Sequence, residues 1–301
     1  MAPPSEKAPR PRALVTGLDG FTGRYVQPEL EAAGFEVFGL RRIVDGRPHE
    51  TDLLDAARVR QEVAEIAPDI VLHLAGVAFV AHDDVETIYR TNVIGTRNLL
   101  EALACLAQAP RAVVLASSAN VYGNVAIGLI PESQPPAPSS DYAVSKLAME
   151  HMARLWMDRL PITLARPFNY TGVGQSLQFL VPKIVDHFRR RETVIELGNV
   201  EVARDFSDVR DIAHCYRRLI EVSPAGECVN LCSGQAYALA EVIAELERLA
   251  GYRIEIRVNP AFVRASEVIR LAGNPDRLEQ LIQGKPAIPL RDTLAWMYHA
   301  P

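Results

Sequence analysis

A tyrosine and a lysine four residues apart, Tyr142 and Lys146 in the segment YAVSK, are the first side chains here that could do chemistry. Residues at this spacing lie on one face of a helix, so the ammonium group would stand beside the phenol. A nearby positive charge lowers the pKa of a phenol from its ordinary value of about 10 because it favours the phenolate. The pair could then exchange a proton with a carbonyl or alkoxide near neutral pH. Because the spacing alone is common, further signals are needed.

A serine supplies the third member of a catalytic set. Ser118 lies in the segment SSANVYG, directly after the apolar strand pattern that ends at Ala116. The carboxyl end of a strand in a parallel sheet is where ligands bind, so this serine would lie at the ligand-binding edge. Its hydroxyl could hydrogen-bond the same substrate oxygen that Tyr142 protonates. The sequence therefore predicts Ser118, Tyr142 and Lys146 as the catalytic residues.

Three glycines near the start of the chain predict a dinucleotide site. Gly17, Gly20 and Gly23 follow a short apolar strand pattern and open an amphipathic helix pattern. Glycines allow a tight turn and a close approach to a pyrophosphate, which the helix N-terminus stabilises. Phe21, inside the turn, is counted among the cofactor-binding residues.

Two arginines, Arg41 and Arg42, follow the second predicted strand and indicate which dinucleotide binds. NAD sites usually place an acid here to accept from the ribose 2′-hydroxyl, whereas guanidinium groups suit a 2′-phosphate. NADP(H) is therefore predicted, with NAD(H) as the alternative. The other expected cofactor contacts are Asp52 and Leu53 at the adenine, and Leu74, Ala75 and Gly76 beneath the dinucleotide.

Strand patterns alternate with helix patterns up to about residue 168, which predicts an α/β fold with a Rossmann-type doubly wound parallel sheet. Residues 1–11 are expected to form a disordered arm and residues 12–168 the NAD(P)-binding domain. Residues 169–301 should form a smaller C-terminal α/β domain that binds substrate, with about 205–232 packing back onto the sheet.

Composition narrows the class of protein. The 301 residues carry a net charge of −5 and are 49% hydrophobic and 23% charged, which excludes disorder for most of the chain and gives no electrostatic footprint for nucleic acid. Four cysteines are too few for a disulfide scaffold, and their spacing predicts no metal site. No run of about 18 apolar residues exists, so no membrane span is predicted, and a cytoplasmic protein is expected.

At this point the chain resembles an extended short-chain dehydrogenase/reductase from about residue 12 to its end. The resemblance implies that Tyr142 is the acid/base, that Lys146 holds the nicotinamide ribose and lowers the tyrosine pKa, and that Ser118 polarises the substrate carbonyl. Asn92 is expected to stabilise a helix kink. The residues that carry the resemblance are Gly17, Gly20, Gly23, Asn92, Ser118, Tyr142 and Lys146.

The C-terminal half is similar to enzymes of GDP-sugars, namely the GDP-mannose dehydratases and, more closely, the GDP-4-keto-6-deoxy-D-mannose reductases. The matching segments are RPFN at 166–169, GVGQ at 172–175, LGN at 197–199, RDFSDVRD at 204–211 and RASEV at 264–268. This similarity implies that Arg204 and Arg264 clamp the diphosphate, that Asn169 donates to it and that Glu267 accepts from the ribose hydroxyls. Lys183 would lie near the base. Gln175 is also counted as substrate-binding.

The predicted reaction is NADPH-dependent reduction of the 4-keto group of a GDP-4-keto-6-deoxyhexose, in nucleotide-sugar and polysaccharide biosynthesis. The product would be GDP-D-rhamnose or its C4 epimer. Dehydration, which in this family needs an acid beside the catalytic hydroxyl, is excluded because Ala119 and Asn120 follow the serine. Tyr170 stands where the reductases carry a histidine.

Two alternatives stay open. One is a nucleotide-sugar 4-epimerase, since the segment SAxVYG also occurs in hexose 4-epimerases; the other is a non-catalytic NADP-binding sensor or scaffold. The resemblance also implies a homodimer built on the helices that follow Asn92 and Tyr142.

Overall fold

The computed structural model describes residues 9–44, 47–78, 84–125, 128–200, 202–260, 270–284 and 286–301, with only the backbone of 42–44 and 47–49. Its strands are β1 Arg12–Thr16, β2 Glu36–Phe38, β3 Arg41–Val44, β4 Arg47–Glu50, β5 Ile70–His73, β6 Ala112–Ala116, β7 Ile162–Pro167, β8 Asn169–Thr171, β9 Val194–Leu197, β10 Ala203–Asp208, β11 Cys228–Leu231, β12 Ala236–Ala238, β13 Glu255–Val258 and β14 Arg270–Leu271. Its helices are α1 Gly23–Ala32, α2 Ala56–Ile66, α3 Val85–Tyr89, α4 Thr96–Ala104, α5 Asp141–Arg154, α6 Leu180–Arg189, α7 Val209–Val222, α8 Leu239–Ala250, α9 Asp276–Ile282 and α10 Leu290–His299, with a π-helical turn Arg90–Gly95 and a 3₁₀ turn Ala119–Tyr122.

The central sheet has six parallel strands in the order β11-β7-β6-β5-β1-β2. Strand β5 is buried along its whole length, as expected for a strand covered by helices on both faces. One core cluster packs α1 and α7 against the first face, and a second packs α2, α4 and α5 against the other. The predicted doubly wound Rossmann-type sheet is confirmed.

The order of the strands reverses between β1 and β5. The chain leaves β1 to form β2 on one side and then crosses to form β5 on the other. Loops that leave the two strands diverge at such a point and open a crevice at the carboxyl edge of the sheet. Both the glycine turn after Thr16 and the turn at Leu74–Gly76 lie there.

The C-terminal half adds a smaller α/β layer to this sheet. Strands β12, β10 and β14 form one sheet with β8 paired to β10, and β9 and β13 form a parallel pair. Helices α6, α8 and α10 enclose a separate core cluster over these strands. Strand β11 and helix α7, although late in the sequence, pack with the central sheet.

The local differences from the predicted elements have simple causes. The sequence pattern predicts the second strand over 36–40, but β2 ends at Phe38, because the chain turns into the hairpin β3–β4, which the pattern did not reveal. The pattern also predicts a helix over about 142–159, but α5 ends at Arg154, and the hydrogen bonds of the following residues tighten into turns. Within the described ranges, no helix is both long and apolar enough to cross a bilayer.

Candidate active site

The glycine turn is shaped by contacts that leave no room for side chains. Gly17 has φ +72°, and a Cβ there would lie 2.9 Å from the amide nitrogen of Ala75. A Cβ on Gly23 would lie 2.3 Å from the carbonyl oxygen of Leu18. At Gly20 the nearest atom to an added Cβ is the carbonyl oxygen of Gly17, 3.0 Å away within the same turn. The turn therefore has the close backbone approach and bare surface that a pyrophosphate cradle requires.

The three predicted catalytic side chains come together at the carboxyl edge. Ser118 caps the 3₁₀ turn that follows β6, and its hydroxyl accepts from the amide of Asn120 at 3.2 Å. Ser140 caps α5, which places Tyr142 in the first turn of that helix with its side chain close to Ser118. Lys146, one turn later, is buried and donates from Nζ to the carbonyl oxygen of Ala116 at 2.9 Å.

The turn after β5 lies against the catalytic lysine. A Cβ on Gly76 would lie 2.9 Å from Nζ of Lys146 and 3.0 Å from Oδ1 of Asn92. Gly76 was predicted from the sequence only as a cofactor contact. The structure brings this turn and the catalytic helix into one crevice, so a cofactor held by the glycine turn would reach the lysine.

Burial controls the pKa values of the two ionisable catalytic groups. It raises the pKa of Tyr142 to about 12, against a smaller lowering effect from the hydrogen bond with Ser118. It lowers the pKa of Lys146 to about 8, against the opposing effect of the Glu150 carboxylate. The sequence predicted that the ammonium would lower the tyrosine pKa. In the protein the pKa of Tyr142 is raised instead, because removal of the phenolate from water is the largest influence on it.

A directed chain of hydrogen bonds lies beneath the crevice. The amide of Ala75 donates to Oγ1 of Thr16 at 3.3 Å, and this oxygen lies 2.6 Å from Nδ1 of His73. On the other side, Nε2 of His73 lies 2.8 Å from Oγ1 of Thr96, whose hydroxyl donates to the carbonyl oxygen of Asn92. The Thr96 hydroxyl uses its one proton on Asn92, so it accepts from Nε2–H of His73. Burial lowers the pKa of His73 to about 3, so the imidazole is neutral and its Nδ1 accepts from the Thr16 hydroxyl.

Asn92 connects this chain to the catalytic helix. Its side chain accepts from the amide of Val77 at 2.8 Å, and its Nδ2 donates to the carbonyl oxygen of Val77 and to Oγ of Ser145, both at 3.0 Å. Ser145 in turn donates to the carbonyl oxygen of Tyr142. Asn92 lies in the π-helical turn Arg90–Gly95, so the predicted helix irregularity is confirmed. π-turns often occur at functional sites.

A buried ion pair, which the sequence reasoning missed, lies one turn beyond the lysine. Glu150 accepts a bidentate fork from Arg166, with Nε–Oε1 at 2.8 Å and Nη2–Oε2 at 2.6 Å. Ser117, next to Ser118, also donates to Glu150 at 2.6 Å. These bonds tie the catalytic helix to the ends of β6 and β7. The available signal was a glutamate four residues after Lys146 on the same helix face.

The arginine expected to read the 2′-phosphate is already paired. Nη2 of Arg41 lies 2.5 Å from Oδ1 of Asp19, a residue of the glycine turn. The Arg42 side chain lies outside the described residues. Asp52 is exposed and accepts from the amide of Leu54, whereas Leu53 is buried with its Cβ 2.9 Å from the position of a Cβ on Gly95.

Tyr170, at the position of the expected histidine, connects the two halves of the crevice. Its hydroxyl lies 2.7 Å from Oγ1 of Thr22, and its ring stacks on that of Phe21 with centroids 6.0 Å apart. Phe21 and Thr22 belong to the glycine turn, and Tyr170 belongs to β8. The predicted cofactor residue Phe21 thus packs against the strand that carries Asn169.

The predicted substrate residues differ in how the protein engages them. Nδ2 of Asn169 is buried and has no hydrogen-bond partner among the residues that the structure describes. Gln175 binds within its own segment, accepting from Thr171 at 2.7 Å and donating to the carbonyl oxygen of Tyr170 at 3.1 Å. Lys183 donates to the carbonyl oxygen of Glu196 at 3.1 Å.

Arg204 is half-buried on β10 and donates to the carbonyl oxygen of Ala203 at 2.9 Å. Its neighbour Asp205 is fully buried and accepts from the amides of Ser233 and Gly234, which fixes the loop after β11. Arg264 and Glu267 lie outside the described residues. The roles of all these substrate residues stay predictions.

Residues 13–232 match the family described as the NAD dependent epimerase/dehydratase family. The chain belongs to this family. This match confirms the predicted resemblance to the extended short-chain dehydrogenases/reductases. The protein is therefore an NAD(P)-dependent enzyme of the oxidoreductase type.

Two relatives within the epimerase/dehydratase family are similar over almost the whole chain. GDP-6-deoxy-D-talose 4-dehydrogenase of Aggregatibacter actinomycetemcomitans is 36% identical over 89% of this chain and 90% of its own length. GDP-6-deoxy-D-mannose reductase of Pseudomonas aeruginosa is 35% identical over 94% of each chain. The predicted resemblance to GDP-deoxyhexose reductases is confirmed.

Two solved structures of the same fold are also similar. RMD from Pseudomonas aeruginosa, solved in complex with NADPH, has a TM-score of 0.85 and 33% identity, covering 96% of this chain and 97% of its own. A protein from Burkholderia cenocepacia J2315, provisionally described as an epimerase, has a TM-score of 0.91 and 50% identity, covering 97% and 99%.

Proposed function

We propose that the protein reduces the 4-keto group of a GDP-4-keto-6-deoxyhexose with NADPH, giving GDP-D-rhamnose or GDP-6-deoxy-D-talose. The observation that carries the proposal is the catalytic set of Ser118, Tyr142 and Lys146 beside the glycine turn, with no acid after the serine. A GDP-sugar substrate is supported by two relatives named for oxidation and reduction of GDP-6-deoxyhexoses, each about one-third identical to this chain.

The cofactor proposal rests on the fit of the crevice. The glycine turn offers a bare cradle, the turn at Gly76 lies against Lys146, and the Arg41 guanidinium would meet the ribose 2′ group. The similar structure that binds NADPH supports NADP(H), and NAD(H) is the alternative. When bound, NADPH supplies the hydride that reduces the C4 carbonyl carbon.

The chain's own groups would handle the proton and the developing charge. With a pKa of about 12, Tyr142 is protonated at neutral pH and is ready to donate its phenolic proton to the forming alkoxide. The Ser118 hydroxyl would donate to the same oxygen and stabilise its negative charge. Lys146, anchored at Ala116, would hold the nicotinamide ribose and stabilise the phenolate that remains.

In the substrate half, the strongest support for a ligand is the buried Nδ2 of Asn169, which has no acceptor within the described part of the chain, because a buried N–H without an acceptor is costly. We assign it to a diphosphate oxygen, with Arg204 and Arg264 as charge-assisted donors. Glu267 is assigned to the ribose, and Lys183 and Gln175 to the neighbourhood of the base.

The test is turnover of GDP-4-keto-6-deoxymannose, followed by the loss of absorbance of the reduced nicotinamide. NADPH should be consumed faster than NADH, and the product's C4 configuration follows from NMR of the sugar. UDP-, CDP- and dTDP-linked 4-keto-sugars serve as controls for the base. No consumption with any of them would refute the reductase proposal.

An epimerase is the second candidate, favoured by the similar structure from Burkholderia cenocepacia. It would interconvert C4 epimers of a nucleotide sugar with no net consumption of reduced nicotinamide. Epimer formation from a GDP-hexose, without added NADPH, would replace the reductase proposal. Substrate-dependent NADPH consumption also separates the reductase from a non-catalytic NADP-binding scaffold.

We also propose a homodimer through α5 and the π-helical turn, which pack side by side. Val144 on α5 and Leu155, the residue that follows the last residue of α5, are 38% and 80% exposed, and Ile94 of the π-helical turn is 47% exposed. Exposed apolar side chains on one face mark an interaction surface. Light scattering after size exclusion should give a dimer mass, and Leu155→Glu should give a monomer, unlike Leu177→Glu at another exposed leucine.

A further inference from the structure

The residue that holds Arg41 comes from the glycine turn itself. Asp19 lies between Gly17 and Gly20, and its Oδ1 is 2.5 Å from Nη2 of Arg41. The side chains of Arg41 and Asp19 are 38% and 58% exposed, so a ligand in the crevice can reach both. An acid at this point of the turn is unexpected, since the turn is proposed to receive phosphate groups.

Hydrogen bonds hold the backbone of Asp19 on both sides of its side chain. The carbonyl oxygen of Asp19 accepts from Nε of Arg24 at 3.1 Å, and its amide donates to Oε1 of Glu50 at 3.4 Å. Glu50 is also the register partner of Arg41 across the hairpin β3–β4. The carboxylate that pairs with Arg41 thus projects from a turn whose backbone is fixed, and a second acid lies opposite Arg41 in the hairpin.

A 2′-phosphate and the Asp19 carboxylate would need the same guanidinium. A planar guanidinium offers one pair of N–H donors on a given side. A phosphate dianion that binds these donors must displace the carboxylate or lie next to it. An exposed ion pair stabilises a protein little, so the phosphate can win, but its affinity is reduced by the competition. A 2′-hydroxyl carries no charge and meets no such cost.

We propose that Asp19 sets the cofactor selectivity of this crevice by competing with the 2′-phosphate of NADP(H) for Arg41. The inference rests on the proposed cofactor site and deepens it. Asp19 weakens the binding of NADP(H) but not that of NAD(H). The difference in affinity between the two cofactors is therefore smaller, and NAD(H) can still bind.

The experiment is calorimetric binding, without sugar substrate, of NADPH, NADH, adenosine 2′,5′-bisphosphate and AMP. The variants are Asp19→Asn, Arg41→Ala and their combination, with Asp19→Ser as a second removal of the charge. Glu31→Gln, at the far end of α1, removes the same unit charge as the control.

Asp19→Asn and Asp19→Ser should lower the Kd of NADPH and of the bisphosphate by about two- to fivefold, which corresponds to the energy of an exposed ion pair. NADH, AMP and the Glu31→Gln control should change less than about twofold. In the Arg41→Ala background the effect of Asp19→Asn should disappear, because the competition needs the arginine.

The proposal is overturned if removal of the Asp19 charge leaves NADPH affinity unchanged or weakens it. It is also overturned if the tightening persists undiminished in the Arg41→Ala background, which would indicate direct repulsion of the phosphate. Failure of the proposed function is separate: it appears as absent turnover of keto-sugars, whatever the binding constants of the cofactors.

Discussion

Two ion pairs lie near the candidate active site, one in the interior and one at the surface. Glu150 and Arg166 are 0% and 3% exposed and share a bidentate fork, whereas Asp19 and Arg41 are 58% and 38% exposed and share one contact. Loss of one partner from the buried pair leaves an uncompensated charge out of water. Loss of one partner from the exposed pair leaves a charge that water solvates, or that a ligand can take. The first pair is thus part of the scaffold, and the second is available for recognition.

The largest effect is expected from a change that touches neither pair. Tyr142→Phe removes the proton donor and should lower kcat by about 10²- to 10⁴-fold. NADPH binding and the free energy of unfolding should stay near the parent values, because only one hydroxyl is lost. The control is Tyr89→Phe, which removes an exposed hydroxyl bonded to Asp141 on the same helix. Equal activity of Tyr142→Phe and the parent would disprove the assignment of the acid.

The buried pair of Glu150 and Arg166 should contribute more to the free energy of unfolding than an exposed pair does. Glu150→Gln leaves Arg166 without its counter-charge and should cost about 3–5 kcal/mol in the free energy of unfolding, measured with urea. Glu101→Gln, which breaks the exposed pair with Arg97, should cost less than about 1 kcal/mol. Similar costs for the two variants would remove the distinction between scaffold and surface pairs.

The pH dependence of activity and stability tests the role of the buried ammonium group of Lys146. Because burial lowers its pKa from the ordinary 10.5 to about 8, the ammonium of Lys146 is lost as pH rises through about 8. We expect kcat/KM for reduction to fall toward tenfold per pH unit above about pH 8. Between about pH 8 and pH 10.5 the unfolded chain binds this proton more tightly than the folded protein, so the contribution of Lys146 to the free energy of unfolding rises with pH.

A pH–rate profile and urea unfolding at the same pH values check this prediction. Tyr142, with a pKa of about 12, and His73, with a pKa of about 3, do not titrate in that window. A flat rate profile up to about pH 9.5 would contradict the role given to the lysine charge.

A smaller effect is expected at Asn169, whose buried Nδ2 finds no acceptor among the residues described. Asn169→Ala should weaken GDP binding by about tenfold, the value of a hydrogen bond to a charged group, without loss of stability. The control is Asn98→Ala: its Nδ2 donates to Leu53 at 2.8 Å, so this variant should lose stability and keep GDP affinity. Calorimetry with GDP and urea unfolding measure both quantities, and a destabilised Asn169→Ala with unchanged GDP affinity would contradict the assignment.

The parts of the site that the sequence predicted depend on short spacings. The glycine turn follows one strand and opens one helix, and Tyr142 and Lys146 are one helical turn apart. Such local patterns fix both the element and the face on which a side chain lies. The parallel sheet followed in the same way, from buried strands that alternate with amphipathic helices.

The missed parts depend on contacts between distant residues. His73 looked like one polar residue in an apolar strand, and its partners Thr16 and Thr96 lie 57 and 23 residues away. Arg166, given only a place in a motif, proved to be the counter-charge of Glu150. The pairing of Asp19 with Arg41 depends on a turn and a hairpin that meet only after the sheet has formed.

The sequence by itself determined the class of protein, the sheet, the glycine turn and the candidate catalytic set, because each is encoded in periodicity or in a spacing of a few residues. Only the tertiary structure decided the charge states and the partners. Burial, which no local pattern measures, raises the pKa of Tyr142, lowers that of Lys146 and keeps His73 neutral. The same packing leaves Nδ2 of Asn169 without a partner among the described residues and turns Arg41 toward an acid, since folding brings together groups that the chain keeps far apart.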